Sequence, residues 1–128
     1  GGLDQSIYKK LFLWKKTNDL VKAGKYDLAY ESLKGSDFSN ADIILQTTYD
    51  VVRTLSLKKK MTHKQLLCSK TYKEKNIKSY TAHICRIIKQ YISKGKVRVE
   101  EVGQLKKLLM KSSPDKIFLV KAILDLNK

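Results

Sequence analysis

Apolar residues return at three- and four-residue intervals along nearly the whole chain, and the breaks between the runs mark seven predicted helices. Leu13, Trp14, Thr17, Leu20 and Val21 share one face of the first helix. It starts at Asp4, whose carboxylate can accept the amides of Ser6 or Ile7, and runs to about Ala23. Leu3 and Tyr8 have the spacing of a hydrophobic staple around that start. Trp14, a single Trp inside an apolar stripe, reads as core. A short second helix, about Leu28 to Lys34, turns Leu28, Ala29 and Leu33 inward. It stops before Gly35-Ser36-Asp37, and Phe38 pins the following loop to the core.

Ser39 or Asn40 caps a third, central helix in which Ile44, Thr48, Val51, Val52 and Leu55 share a face beside Leu45 and Tyr49. The fourth has the best local start signal: Thr62 with Gln65 has the spacing of a capping box, and Met61 with Leu66 that of a staple. From Ser69 through Lys78 the periodicity fades, which predicts a loop or frayed turn. Ser79 opens the fifth helix, where Tyr80, Ile84, Ile87, Ile88, Tyr91 and Ile92 form the broadest apolar stripe, opposite Arg86, Lys89 and Gln90. The sixth begins with Glu100 and Glu101, acids suited to the helix dipole, and carries Val99, Val102, Leu105, Leu108 and Leu109. Ser113-Pro114-Asp115 starts the seventh, which packs Ile117, Val120, Ile123 and Leu124.

The hinge Lys22-Ala23-Gly24-Lys25-Tyr26-Asp27 organises the first half of this pattern. Gly24 stands where a helix needs a left-handed C-terminal residue, and Asp27 can accept the free amides of the next helix. Echoes at Lys59-Lys60-Met61 and Gly95-Lys96-Val97 repeat it at intervals of about 35 residues, a helical-repeat period. The expected fold is all-α: a right-handed stack of about three helical hairpins plus a C-terminal capping helix, α-solenoid-like or a compact helical bundle. Gly1-Gly2 reads as a cloning remnant or the edge of a longer protein, which leaves residues 3–128 as one helical domain.

Two family resemblances attach to these residues. Gly24-Lys25-Tyr26-Asp27-Leu28-Ala29-Tyr30 resembles the turn of a tetratricopeptide repeat, and Lys22-Ala23-Gly24-Lys25 with Ala29 is similar to a pentatricopeptide repeat. Only the first of the three units carries the likeness, since Lys59 replaces the Gly in the second and the third lacks the small residue. The tetratricopeptide likeness implies a groove that holds a peptide or helix of a partner. The pentatricopeptide likeness would assign base reading to the neighbourhood of Trp14 and Cys85, and neither residue type fits that role. The stretch Val52 to Thr71 is similar to the N-terminal helical domain of transcription elongation factor S, which docks disordered motifs. That family's Ile-Gly-Lys-x-Val segment is missing after Thr71, and Tyr91 stands near its usual Trp.

Composition changes the picture mainly through charge. The chain is 42% hydrophobic over 128 residues, enough for one domain with a real core. Its net charge of +15 and pI near 9.8 imply attraction to nucleic acid, an acidic protein or an anionic surface. No apolar run approaches a bilayer span and no secretory leader is evident, so an intracellular setting, nucleus or cytoplasm, is expected. Cys68 and Cys85 read as two buried thiols.

Candidate chemistry is sparse. His63, Cys68, His83 and Cys85 match no zinc spacing, no Ser, Cys or Lys stands in a nucleophile motif, and no Gly-rich phosphate loop is present. The sequence points to no enzyme, no metal and no cofactor. Between Arg53 and Lys96, however, thirteen Lys and Arg face only Glu74. The candidate basic binding face is Lys58, Lys59, Lys60, Lys73, Lys75, Arg86 and Lys89. A helix-turn-helix over Thr62 to Lys70 and Ser79 to Lys94, winged by Val97-Arg98-Val99, would need a connecting turn longer than that motif uses. The favoured reading is a non-catalytic helical module that docks a protein partner, an acidic or amphipathic peptide or helix. Sequence-blind binding of an RNA or DNA backbone is the alternative; membrane association and a small-molecule substrate are not expected.

Overall fold

A computed structural model of the chain describes residues 2–38, 41, 43–68 and 79–128. Helix α1 spans Gly2–Lys22, α2 Tyr26–Leu33, α3 Ile43–Leu57, α4 Ser79–Lys94, α5 Val99–Ser112 and α6 Phe118–Leu124. Short 3-10 turns cover Lys58–Lys60, His63–Gln65, Pro114–Lys116 and Asp125–Asn127, and there is no strand among the described residues. The chain is all-α. Successive helices pack as neighbours, but α6 also returns to touch α1 and α3, so the helices close into a compact bundle instead of an open stack.

The Gly24 half of the hinge after α1 is built as its sequence predicts. Gly24 has φ +76°, its N–H donates to Val21 O at 3.0 Å and the Lys25 N–H donates to Leu20 O at 2.9 Å. These are the two bonds of a Schellman motif. Asp27 does not cap α2, which begins at Tyr26; its Oδ1 instead accepts from the Ser56 hydroxyl at 2.9 Å, fastening the start of α2 to the end of α3. Gly95 is left-handed like Gly24, at φ +78°. Between them φ is positive at Gly35, +110°, and at Lys58, +51°, the latter one position before the Lys59 that the repeat interval suggests. Asp4 lies inside α1, and Tyr8 is 71% exposed, so the expected staple does not bury it.

The core forms where the apolar stripes meet. Trp14 stacks near Phe38 with ring centroids 5.6 Å apart, and Phe38 lies 4.7 Å from Tyr49, which holds the loop before α3 against α1. Val51, Val52 and Leu55 of α3 and Ile84, Ile87, Ile88 and Tyr91 of α4 are buried. In α6 the inward stripe is Leu119, Ala122 and Ile123, continuing to Leu126; Ile117, Val120 and Leu124 are half-buried, and Val99 of α5 is exposed. Val97 and Val99 make no wing. A strand partner's role is taken by the Asn127 side chain, which accepts the Val97 N–H and donates to the Val97 carbonyl, both at 2.7 Å.

Two readings are corrected around the fourth predicted helix. The capping box forms, with the Thr62 N–H donating to Gln65 Oε1 at 2.9 Å, yet it opens a single 3-10 turn and the chain leaves extended at Leu66. The reason is α3. Arg53 Nη1 donates to the Gln65 carbonyl at 2.7 Å, and the buried Asp50 carboxylate accepts the N–H groups of Leu67 at 2.9 Å and Cys68 at 2.7 Å. Side chains of a neighbouring helix thus satisfy the groups that would otherwise continue the turn. The second correction concerns the cysteines. Cys68 and Cys85 are buried but are not free thiols: they form a disulfide, with Cα atoms 6.0 Å apart, that ties this segment to α4. The caps expected of Ser39 or Asn40 and the loop expected over 69–78 lie outside the described residues.

Candidate functional site

The surface of α1 departs most from what a helix in a small bundle needs. At about 100° per residue, Trp14, Thr17 and Val21 point into the core, Tyr8 and Phe12 fall on the far side of the helix, and Leu11 stands on its flank, one turn before Trp14. Their exposures are 71%, 59% and 72%. Large apolar side chains scattered singly need no explanation, but three at i, i+3 and i+4 make a continuous ridge.

Grooves flank this ridge. On one side Leu11, Trp14 and Lys15 join Ile44 and Leu45 of α3 and Phe118 of α6 around a cleft of about 400 Å³. On the other, Phe12, Lys15, Lys16, Leu20, Ala23 and Lys25 line a shallower groove of about 480 Å³. The rims are basic: Lys15, Lys16, Lys22, Lys25 and Lys116 stand against Asp19 and Asp115, and Lys22 Nζ lies 5.1 Å above the Phe118 ring. Trp14 Nε1 and Asn18 Oδ1 are buried without a hydrogen-bond partner beside the first cleft.

The predicted basic face divides. Lys58, Lys59 and Lys60 do come together, on a cleft of about 430 Å³ at the end of the bundle where α3 and α4 stop. Arg86 lies elsewhere: its Nη2 donates to His83 Nδ1 at 2.6 Å, and its Nε lies 3.9 Å from Glu101 Oε2. His83 therefore carries its proton on Nε2, which donates to the Glu101 carbonyl at 2.8 Å. That cluster staples α4 to α5. Lys89 is half-buried and already engaged, and Lys73 and Lys75 lie outside the described residues. Exposed Lys106, Lys107 and Lys111 on α5 extend the positive charge well beyond the middle of the chain. His63 Nε2 is taken up by the Ser93 hydroxyl at 3.1 Å, and no group of three or more potential metal ligands occurs among the described residues.

Asp50 is the titratable group that the sequence pattern passed over. Burial pushes its carboxyl from the ordinary 3.8 up to about 6, against the opposing pull of the Leu67 and Cys68 amides and Arg53. A raised folded value means that the fold holds this proton more tightly than the unfolded chain does. The stabilisation is complete below about pH 4 and is lost as pH rises through about 6, a change of about 3 kcal/mol. Urea unfolding at about pH 4 and about pH 7 should show this loss in the native sequence, and Asp50→Asn should remove that part of the slope. An identical slope in both proteins would reject the assignment.

No protein-family model, curated protein or solved structure matches this chain. No helix among the described residues is long and apolar enough to cross a membrane.

Proposed function

We propose that the protein is a non-catalytic docking module whose α1 ridge receives an acidic, amphipathic helix of a partner protein. The observation that carries this reading is the exposure of Tyr8, Leu11 and Phe12 side by side on one helix. Burying such a ridge releases about 25 cal/mol per Å² of apolar surface, and the parallel grooves beside it suit the apolar face of a second helix. The lysine-rich rims select for acids on the partner's flanks, and a second copy of this strongly basic chain would be repelled. The likeness of the α1–α2 turn to a tetratricopeptide repeat supports the same kind of work. The Cys68–Cys85 bridge favours an oxidising compartment as the setting, in place of the nucleus or cytoplasm that two thiols suggested.

Isothermal titration with a synthetic helical peptide, leucines on one face and glutamates on the other, tests the reading. Leu11→Asp with Phe12→Asp should weaken binding at least about tenfold while leaving the melting temperature unchanged, because central apolar anchors dominate such interfaces. Undiminished affinity in the double variant would remove α1 as the docking face.

A further inference from the structure

From the opposite feature of the surface, its unpaired charge, we infer a second binding site: the cleft at the end of α3 and α4 holds the sugar-phosphate backbone of a single-stranded nucleic acid. This site shares no residue with the α1 ridge and stands or falls separately from it. Lys58, Lys59, Lys60 and Lys128 line the cleft, and exposed Lys94 and Lys96 flank Gly95, which also lines it. None of Lys58, Lys59 and Lys60 is paired with a carboxylate among the described residues. The nearby acid Asp125 is compensated by Lys128, whose Nζ lies 3.1 Å from its Oδ1, while its Oδ2 accepts the Tyr26 hydroxyl, so the unpaired cations of the cleft are Lys58, Lys59 and Lys60.

Bringing these ammonium groups together works against folding through their mutual repulsion. The backbone adds to the cost: Lys58 takes a left-handed conformation, φ +51°, that a β-carbon disfavours and that Gly or Asn would adopt more readily. What the arrangement achieves is a short turn in which three consecutive lysines line one cleft. Leu57, Tyr91 and Leu126 give the same cleft an apolar part. An amphipathic polyanion matches both parts, with phosphates on the lysine rim and sugar or base edges over the apolar part. A single strand, whose bases are free to turn toward the apolar side chains beside the lysines, suits this lining better than a duplex, whose base faces are stacked inside. A flat anionic membrane cannot enter a concave cleft, and a phosphopeptide would engage the rim with one or two phosphates where a strand supplies a continuous row.

Fluorescence polarisation with labelled 20-nucleotide oligo(dT) and the corresponding duplex, beside sedimentation with phosphatidylserine vesicles, tests this. The single strand should bind below about 100 μM at physiological salt and more tightly than the duplex. The triple variant Lys58→Glu, Lys59→Glu, Lys60→Glu should lose at least about tenfold in affinity and shorten the salt slope by about 2. Lys106→Glu, Lys107→Glu, Lys111→Glu, an equal charge change on exposed α5 positions, should lose less than about threefold. The double variant Lys59→Glu, Lys60→Glu leaves the left-handed residue untouched and should reproduce most of the loss. Equal losses in the two triple variants, preference for duplex, binding of vesicles alone, or no binding below about 100 μM would each overturn the site.

Discussion

Replacing Ile88 by Asp should abolish the cooperative thermal transition of this domain. Ile88 is fully buried on the α4 stripe, between Ile84 and Tyr91, and no Lys or Arg is among the described buried residues to receive a carboxylate. An unpaired charge in such a place costs more than the 5 to 15 kcal/mol or so that holds a domain of this size together. The comparison is Thr62→Ala, which removes the exposed capping hydroxyl beside the 3-10 turn and should cost about 1 kcal/mol. Circular dichroism melts separate the two outcomes. Equally mild effects would mean that α4 does not sit at the centre of the core.

The second large effect concerns the bridge. Cys68 and Cys85 are 17 residues apart, and closing a loop of that length restricts the unfolded chain enough to stabilise the fold by about 3 kcal/mol. Cys85→Ala should therefore lower the urea-unfolding free energy by about that amount, with a further contribution from the lost packing of a buried side chain. Dithiothreitol should bring the native protein close to the variant, and the double variant with Cys68→Ala should be little worse than either single one. A midpoint insensitive to reductant would show that the bridge contributes nothing in solution.

Much of the fold was legible because local rules and tertiary packing agree there. Gly24 announces its Schellman turn, the α4 stripe repeats without interruption, and Phe38 is the one large apolar residue in its loop. The rest was decided by contacts distant in sequence. The Thr62 capping box reads as a helix start because a box specifies only the first turn; Asp50 and Arg53, each twelve or more positions before the groups they bind, then divert the chain. An acid in the middle of an apolar helix was the signal that something needed capping. The cysteine pairing left no local trace, since a spacing of 17 fits two thiols as well as a bridge.

The site residues divide in the same way. The Lys58–Lys60 run was visible as charge, and the turn that gathers it on one cleft depends on the left-handed Lys58, which composition does not mark. Arg86 looked equally free on the helical wheel, yet His83 and Glu101 hold it against α5. The α1 ridge had a signal that went unused. Tyr8 and Phe12 do not share the face of Trp14, Thr17 and Val21, and a helix with apolar residues on two faces needs a second partner.

The reading of that second face is tested most directly by a two-dimensional ¹⁵N–¹H NMR titration of the native protein with the acidic amphipathic peptide. The expected result is a contiguous set of shifted amides over Tyr8, Leu11, Phe12 and Lys15, extending to Lys22 and Phe118 across the cleft that α1 shares with α3 and α6, and absent with a peptide whose leucines are replaced by serine. Shifts confined to Lys58, Lys59, Lys60 and Lys128, or equal shifts with the serine peptide, would mean that charge alone captures the peptide and that the α1 ridge is not a docking face.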